Sequence, residues 1–134
     1  MAAIRSLEPY VRSILRIIVG FSFSLHGLQK LLGLFGGMGG SGAGAPFASM
    51  FWVAGCLETV GGLLILIGLF APPVAFILSG EMAVALFMVH FPKGLLPIRN
   101  GGELAVLYCF VYLYLSVAGP GPLSADALVR KRAG

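Results

Sequence analysis

The chain has 134 residues, of which 58% are hydrophobic and 10% charged, with a formal net charge of +4. A soluble domain carries roughly 25% charged residues, and so short a chain buries too small a share of its surface to hide this much apolar area in one core. Composition therefore excludes an ordinary soluble domain and points to an all-α membrane protein solvated by the lipid bilayer. The basic residues sit at the ends of the chain and of the apolar segments, with no basic stripe interleaved with aromatics, so a nucleic-acid partner is excluded too.

Four apolar segments follow one another. The first spans about residues 13–35. Arg5, Arg12 and Arg16 before an apolar run imitate a signal peptide, but the run continues past His26 and Lys30 and lacks a small-residue cleavage site; it predicts a first transmembrane helix. The stretch Gly36 to Pro46 is too rich in glycine to hold a helix and predicts a flexible loop. The second segment covers about 49–70 and stops at Ala71-Pro72-Pro73, a turn in which proline suits a helix start. The third covers about 74–91, followed by a loop with Lys93, Pro97 and Arg99. The fourth, about 103–118, is short for a span and ends at Gly119-Pro120-Gly121-Pro122. In the tail, 123–134, Ser124 can cap a short helix with Asp126 in its first turn, leaving Arg130, Lys131 and Arg132 at the membrane surface.

This pattern predicts one domain, a bundle of four transmembrane helices. An even number of spans puts both termini on one side. That side carries Arg5, Arg12, Arg16, Arg130, Lys131 and Arg132, and the positive-inside rule makes it the cytoplasm.

Ionisable residues inside a membrane are expensive, so each is a functional candidate. Six qualify: His26, Lys30, Glu58, Glu81, His90 and Glu103. All but Glu81 fall in the outer half of the expected bundle. His26 and Lys30 are four apart and share a helix face with Ser22. Gly55, Glu58 and Gly62 share a face whose small residues admit a close neighbour, and a Lys30–Glu58 ion pair across that contact relieves two buried charges at once. Such a pair either fixes helix register or serves binding and proton handling. His90 is either a pocket residue or an interfacial one that reaches water. Asn100-Gly-Gly-Glu103 fits a capping box, which competes with a pocket role for Glu103. Glu81 lies nine positions before His90, half a turn away on a regular helix, and is expected to be a buried polar residue bonded to a neighbouring helix or facing a partner subunit. The order His26, Lys30, Glu58 is echoed weakly by His90, Lys93, Glu103, a hint of a duplicated hairpin.

Three strings carry a family resemblance: Gly20-Phe-Ser-Phe-Ser-Leu-His26-Gly-Leu-Gln-Lys30-Leu-Leu-Gly33, Gly55-Cys-Leu-Glu58-Thr-Val-Gly-Gly62-Leu-Leu-Ile-Leu-Ile-Gly68-Leu, and Gly101-Gly-Glu103-Leu-Ala-Val-Leu-Tyr with Gly119-Pro-Gly-Pro-Leu-Ser124-Ala-Asp126. Over nearly its whole length the chain resembles the DoxX family of small bacterial membrane proteins. The resemblance implies a four-helix protein of the inner (cytoplasmic) membrane and places His26, Lys30, Glu58 and Glu103 in the family's polar set. Relatives in that family include subunits associated with thiosulfate:quinone oxidoreduction and proteins tied to redox or disulfide biochemistry.

Four functions fit these readings. The first is an accessory or assembly subunit of a membrane redox complex, or a homo-oligomer. The second is a quinone-linked oxidoreductase subunit, in which His26 donates a hydrogen bond, Glu58 relays protons and Lys30 stabilises charge developing on oxygen. The third is a small proton-coupled transporter, using Glu81 deeper in the bundle. The fourth is a haem protein with His26 and His90 as axial ligands. Quinone is the cofactor class the polar set suits; haem is disfavoured and no metal site is expected. Cys56 and Cys109 form no CxxC pair, so a self-contained thiol oxidoreductase is not supported, and no other self-contained catalytic motif is evident.

Overall fold

A computed structural model describes residues 2–133 and is helical, with no strand among them. In chain order the helices are α1 (Ala2–Arg5), α2 (Glu8–Leu32), α3 (Met50–Ile67), α4 (Ala71–Ala85), α5 (Pro97–Asn100), α6 (Glu103–Ala118) and α7 (Ala125–Ala133). Three stretches are long and apolar enough to cross a membrane: Glu8–Leu32, Met50–Ile67 and Ala71–Lys93, with α6 shorter. Two compact units are formed. One ends at Ala71 and takes in the tail from Pro120 onward; the other is Pro72–Gly119.

Helix boundaries differ from the expected ones for local reasons. The first helix begins at Glu8, not near Ser13, because Glu8 and Pro9 suit a first turn. It stops at Leu32, before Phe35, because Gly33 takes φ 67° and donates its N–H to the Gln29 carbonyl, a left-handed cap that glycine adopts without a steric penalty. Helix α3 opens at Ser49, whose Oγ accepts from the Trp52 N–H at 3.2 Å, and closes at Gly68 with φ 71°. The glycine-rich segment holds a single turn, Met38–Gly40, and is tied back on α2: the Ala45 N–H donates to the Lys30 carbonyl at 2.6 Å, and the Gly42 N–H to the Gly36 carbonyl at 2.7 Å.

In the first unit α2 and α3 pack antiparallel through glycine. The buried residues of α2 are Ser13, Arg16, Gly20, Phe23, Ser24 and Gly27, spaced three and four apart along one stripe. They meet Gly55, Glu58, Gly61, Gly62 and Ile65 of α3. A Cβ at Gly20 would lie 2.5 Å from the Leu66 nitrogen, and one at Gly62 would lie 2.7 Å from the Ser24 nitrogen. Between apolar helices in lipid, contact this close replaces hydrophobic burial as the source of attraction.

The second unit contains α4, α5 and α6. Ala75, Leu78, Ser79 and Met82 of α4 are buried, as are Ala105, Tyr108, Tyr112 and Leu115 of α6. The Ser79 Oγ donates to the Cys109 carbonyl at 2.8 Å. After Ala85 the helix widens into a π turn, Leu86–His90, then tightens at Phe91–Lys93. The regular register assumed for Glu81 and His90 is thereby broken.

Candidate functional site

The polar residues of α2 and α3 converge at one end of their hairpin. Lys30 stands in the last turn of α2 and Glu58 in the third turn of α3. The Lys30 Nζ donates to Glu58 Oε1 in an ion pair, the pairing expected from the glycine-flanked face. Gly55 makes it reachable: a Cβ there would sit 3.0 Å from the Lys30 Cβ, so the lysine stem passes directly over the backbone of α3. Gly27, one turn before Leu31, abuts Thr59 in the same way. Thr59 turns its Oγ1 back to the Gly55 carbonyl at 2.7 Å, a local bond that leaves the polar face to Glu58.

Glu58 is 1% exposed. Its Oε2 is buried with no hydrogen-bond partner among the described residues. The Lys30 side chain keeps 23% of its surface accessible, against 2% for Glu58. The pair is thus asymmetric: a sealed carboxylate with one acceptor oxygen unused, and a lysine side chain that stays partly open. An unused buried acceptor costs about 1–3 kcal/mol, so a hydroxyl or N–H placed there is stabilising. His26, one turn before Lys30, is half-buried on the flank of the same helix.

The remaining candidates lie in the second unit. His90 closes the π turn and its Nδ1 is 3.1 Å from the Asn100 carbonyl. Asn100 is buried; its Nδ2 donates to the Gly94 carbonyl at 2.7 Å and its Oδ1 accepts from the Gly102 N–H at 2.7 Å. The expected capping box does not form, because Gly102 rather than Asn100 precedes α6 and Glu103 becomes its first residue. Glu103 is exposed there, where a carboxylate favours the helix dipole. Glu81 is half-buried on α4. His26 belongs to one unit and His90 to the other. Among the described residues no cluster of three His, Cys, Asp or Glu side chains could hold a metal.

Arg16 is a buried charge that the sequence reading counted only as a topology signal; it is 1% exposed. Its Nε donates to the Pro120 carbonyl at 2.9 Å, its Nη1 to the carbonyls of Ile65 and Leu66, and its Nη2 to that of Leu123. The guanidinium therefore caps the C-terminus of α3 and holds the tail, using donors whose fixed fork suits several carbonyls at once. Gly68 leaves room for it: a Cβ there would lie 2.9 Å from the Arg16 Cζ. The stripe Ser13, Arg16, Gly20, Ser24, Gly27 was the signal available, since it puts Arg16 on the glycine face. Asp126 completes this end, accepting from the Phe70 and Ala71 N–H groups at 2.8 and 2.9 Å, while Ser124 caps α7 through the Ala127 N–H, as expected.

The chain is 45% identical over 129 residues to a protein of Haemophilus influenzae named "Uncharacterized protein", covering 94% of this chain and 96% of that one. It is 28% identical over 118 residues to a Bacillus subtilis protein named "Putative oxidoreductase CatD", covering 88% of this chain and 86% of the relative. No solved structure matches it. The DoxX family model matches residues 11–91, the stretch that carries the α2–α3 glycine interface and the Lys30–Glu58 pair, and the chain belongs to the DoxX family.

Proposed function

We propose that this protein is a multi-pass subunit of a redox complex in the bacterial inner membrane, with four spans and both termini cytoplasmic, and that Lys30 and Glu58 form its site for a quinone headgroup. The observation that carries the reading is the unused, buried Glu58 Oε2 beside an ion-paired but partly open Lys30. The two groups fit such a headgroup: Lys30 has further N–H donors for a carbonyl oxygen, and Oε2 accepts from a hydroxyl. A bound quinone supplies two-electron chemistry with protons exchanged at its oxygens. Lys30 then orients one oxygen and favours negative charge on it, and Glu58 holds or passes a proton at Oε2. The name of the Bacillus subtilis relative supports a redox setting. The chain has no CxxC, so electrons must come from a partner, which makes it an accessory subunit rather than a complete enzyme.

The test is binding of decylubiquinone to the full-length protein in nanodiscs, followed by quenching of Trp52, the single tryptophan. Lys30→Met/Glu58→Leu removes both charges together, and such paired replacement preserves stability. Binding weakened at least tenfold at unchanged thermal stability supports the site. Equal binding by the double variant refutes it. Purification in gentle detergent with no oxidoreductase partner retained would refute the accessory role.

A further inference from the structure

At the end of the first unit opposite Lys30, the start of α2, the end of α3, the start of α4 and helix α7 meet. Arg16, on α2, joins the end of α3 to the Pro120–Leu123 segment that leads into α7, and Asp126 pins α7 to the N–H groups of Phe70 and Ala71 at the start of α4. Helix α7 is therefore held at the level where the apolar helix α3 stops, which is the level of a membrane surface. The C-terminal half of α7 is uncovered all round, with Arg132 one turn on from Leu128. Leu128 and Val129 are 61% and 59% exposed, and Arg130, Lys131 and Arg132 are exposed in the last turn. Leu123 before it, and Ile4 and Leu7 beside Arg5 at the other terminus, are exposed apolar residues next to positive charge as well.

The structure assigns this end to anionic phospholipid: α7 lies in the bilayer surface with Leu128 and Val129 among acyl chains, and Arg130, Lys131 and Arg132 on headgroup phosphates. Charge complementarity selects the occupant. The only carboxylate of α7, Asp126, is taken up by backbone N–H groups, so the helix presents positive charge alone. Arginine pairs with phosphate oxygens through two parallel hydrogen bonds, and apolar residues interleaved with a basic turn describe a helix that lies on a membrane rather than across it. A soluble acidic protein would satisfy the three cations but would leave Leu128 and Val129 beside lipid without using them. The assignment is independent of the Lys30–Glu58 site and of which leaflet the end faces.

The experiment uses full-length protein. In mixed micelles of phosphatidylglycerol and phosphatidylcholine, native mass spectrometry reads which lipid is retained. The wild type should favour phosphatidylglycerol, and R130Q/K131Q/R132Q should reduce that preference about tenfold or more, since each basic residue near an anionic surface contributes measurably; K93Q/R99Q in the other unit should leave it unchanged. Equal preference in the wild type and the triple variant overturns the assignment, and so does a preference insensitive to added KCl. In W52F/L128W the indole should emit as a membrane-buried fluorophore and be quenched by shallow brominated lipids. Emission typical of water there would show α7 standing free of the bilayer, or covered by protein, and would equally overturn it.

Discussion

The two ends of the α2–α3 hairpin handle buried charge in opposite ways. At one end Arg16 spends its donors on carbonyls of Ile65, Leu66, Pro120 and Leu123. At the other, Lys30 and Glu58 neutralise each other and leave Oε2 over. Two of these carbonyls, those of Ile65 and Leu66, stand in the last turn of α3, where a helix leaves carbonyls without intrahelical partners; the other two, of Pro120 and Leu123, lie in the segment that leads into α7. Arg16 is a saturated, structural charge. The Glu58 carboxylate is unsaturated in an apolar setting, which is how a binding or proton-handling group is left available. Saturation, rather than burial or charge alone, separates the two.

This contrast is open to direct attack. The largest effect is expected for Arg16→Met, which orphans buried carbonyls at the α3 terminus and releases the tail; stability in detergent should fall by about 4 kcal/mol, read as a thermal or denaturant shift. Arg16→Lys keeps the charge but reaches fewer carbonyls and should recover only part of that loss. Next comes Lys30→Met, which strands the Glu58 carboxylate and should cost about 3 kcal/mol. If Arg16→Met proves milder than Lys30→Met, the division into saturated and unsaturated ends fails. Lys30→Met/Glu58→Leu should return to within about 1 kcal/mol of the wild type while losing decylubiquinone binding, a separation of stability from function that no Arg16 variant can show. The smallest effect is Asp126→Asn, which weakens the acceptor at the α4 N-terminus and should cost about 1 kcal/mol, with proteolysis of the tail the more sensitive readout.

The second unit shows why part of the polar set resisted reading. Asn100-Gly-Gly-Glu103 satisfies the capping-box spacing, yet Asn100 spends its side chain on Gly94 and Gly102. A spacing rule presumes where the helix starts, and here the helix starts at Glu103. The Glu81–His90 register failed for a related reason, since counting turns presumes an unbroken α-helix and the π turn at Leu86–His90 is invisible to composition. Lys30–Glu58 was legible because both residues interrupt long apolar runs and glycines flank one of them.

By itself the sequence determined the membrane class, the four apolar segments and the small-residue face of α3, because hydropathy and glycine spacing act over a few residues of chain; the helix ends at Gly33 and Gly68, and the placing of Ala71–Pro73 inside α4, came from the structure. Only the tertiary structure decided that Arg16 is a buried cap and that Glu58 keeps an oxygen unused. The partners of Arg16 lie 49 to 107 positions away, and whether a polar atom is satisfied depends on every group that reaches it in space, which no local pattern encodes.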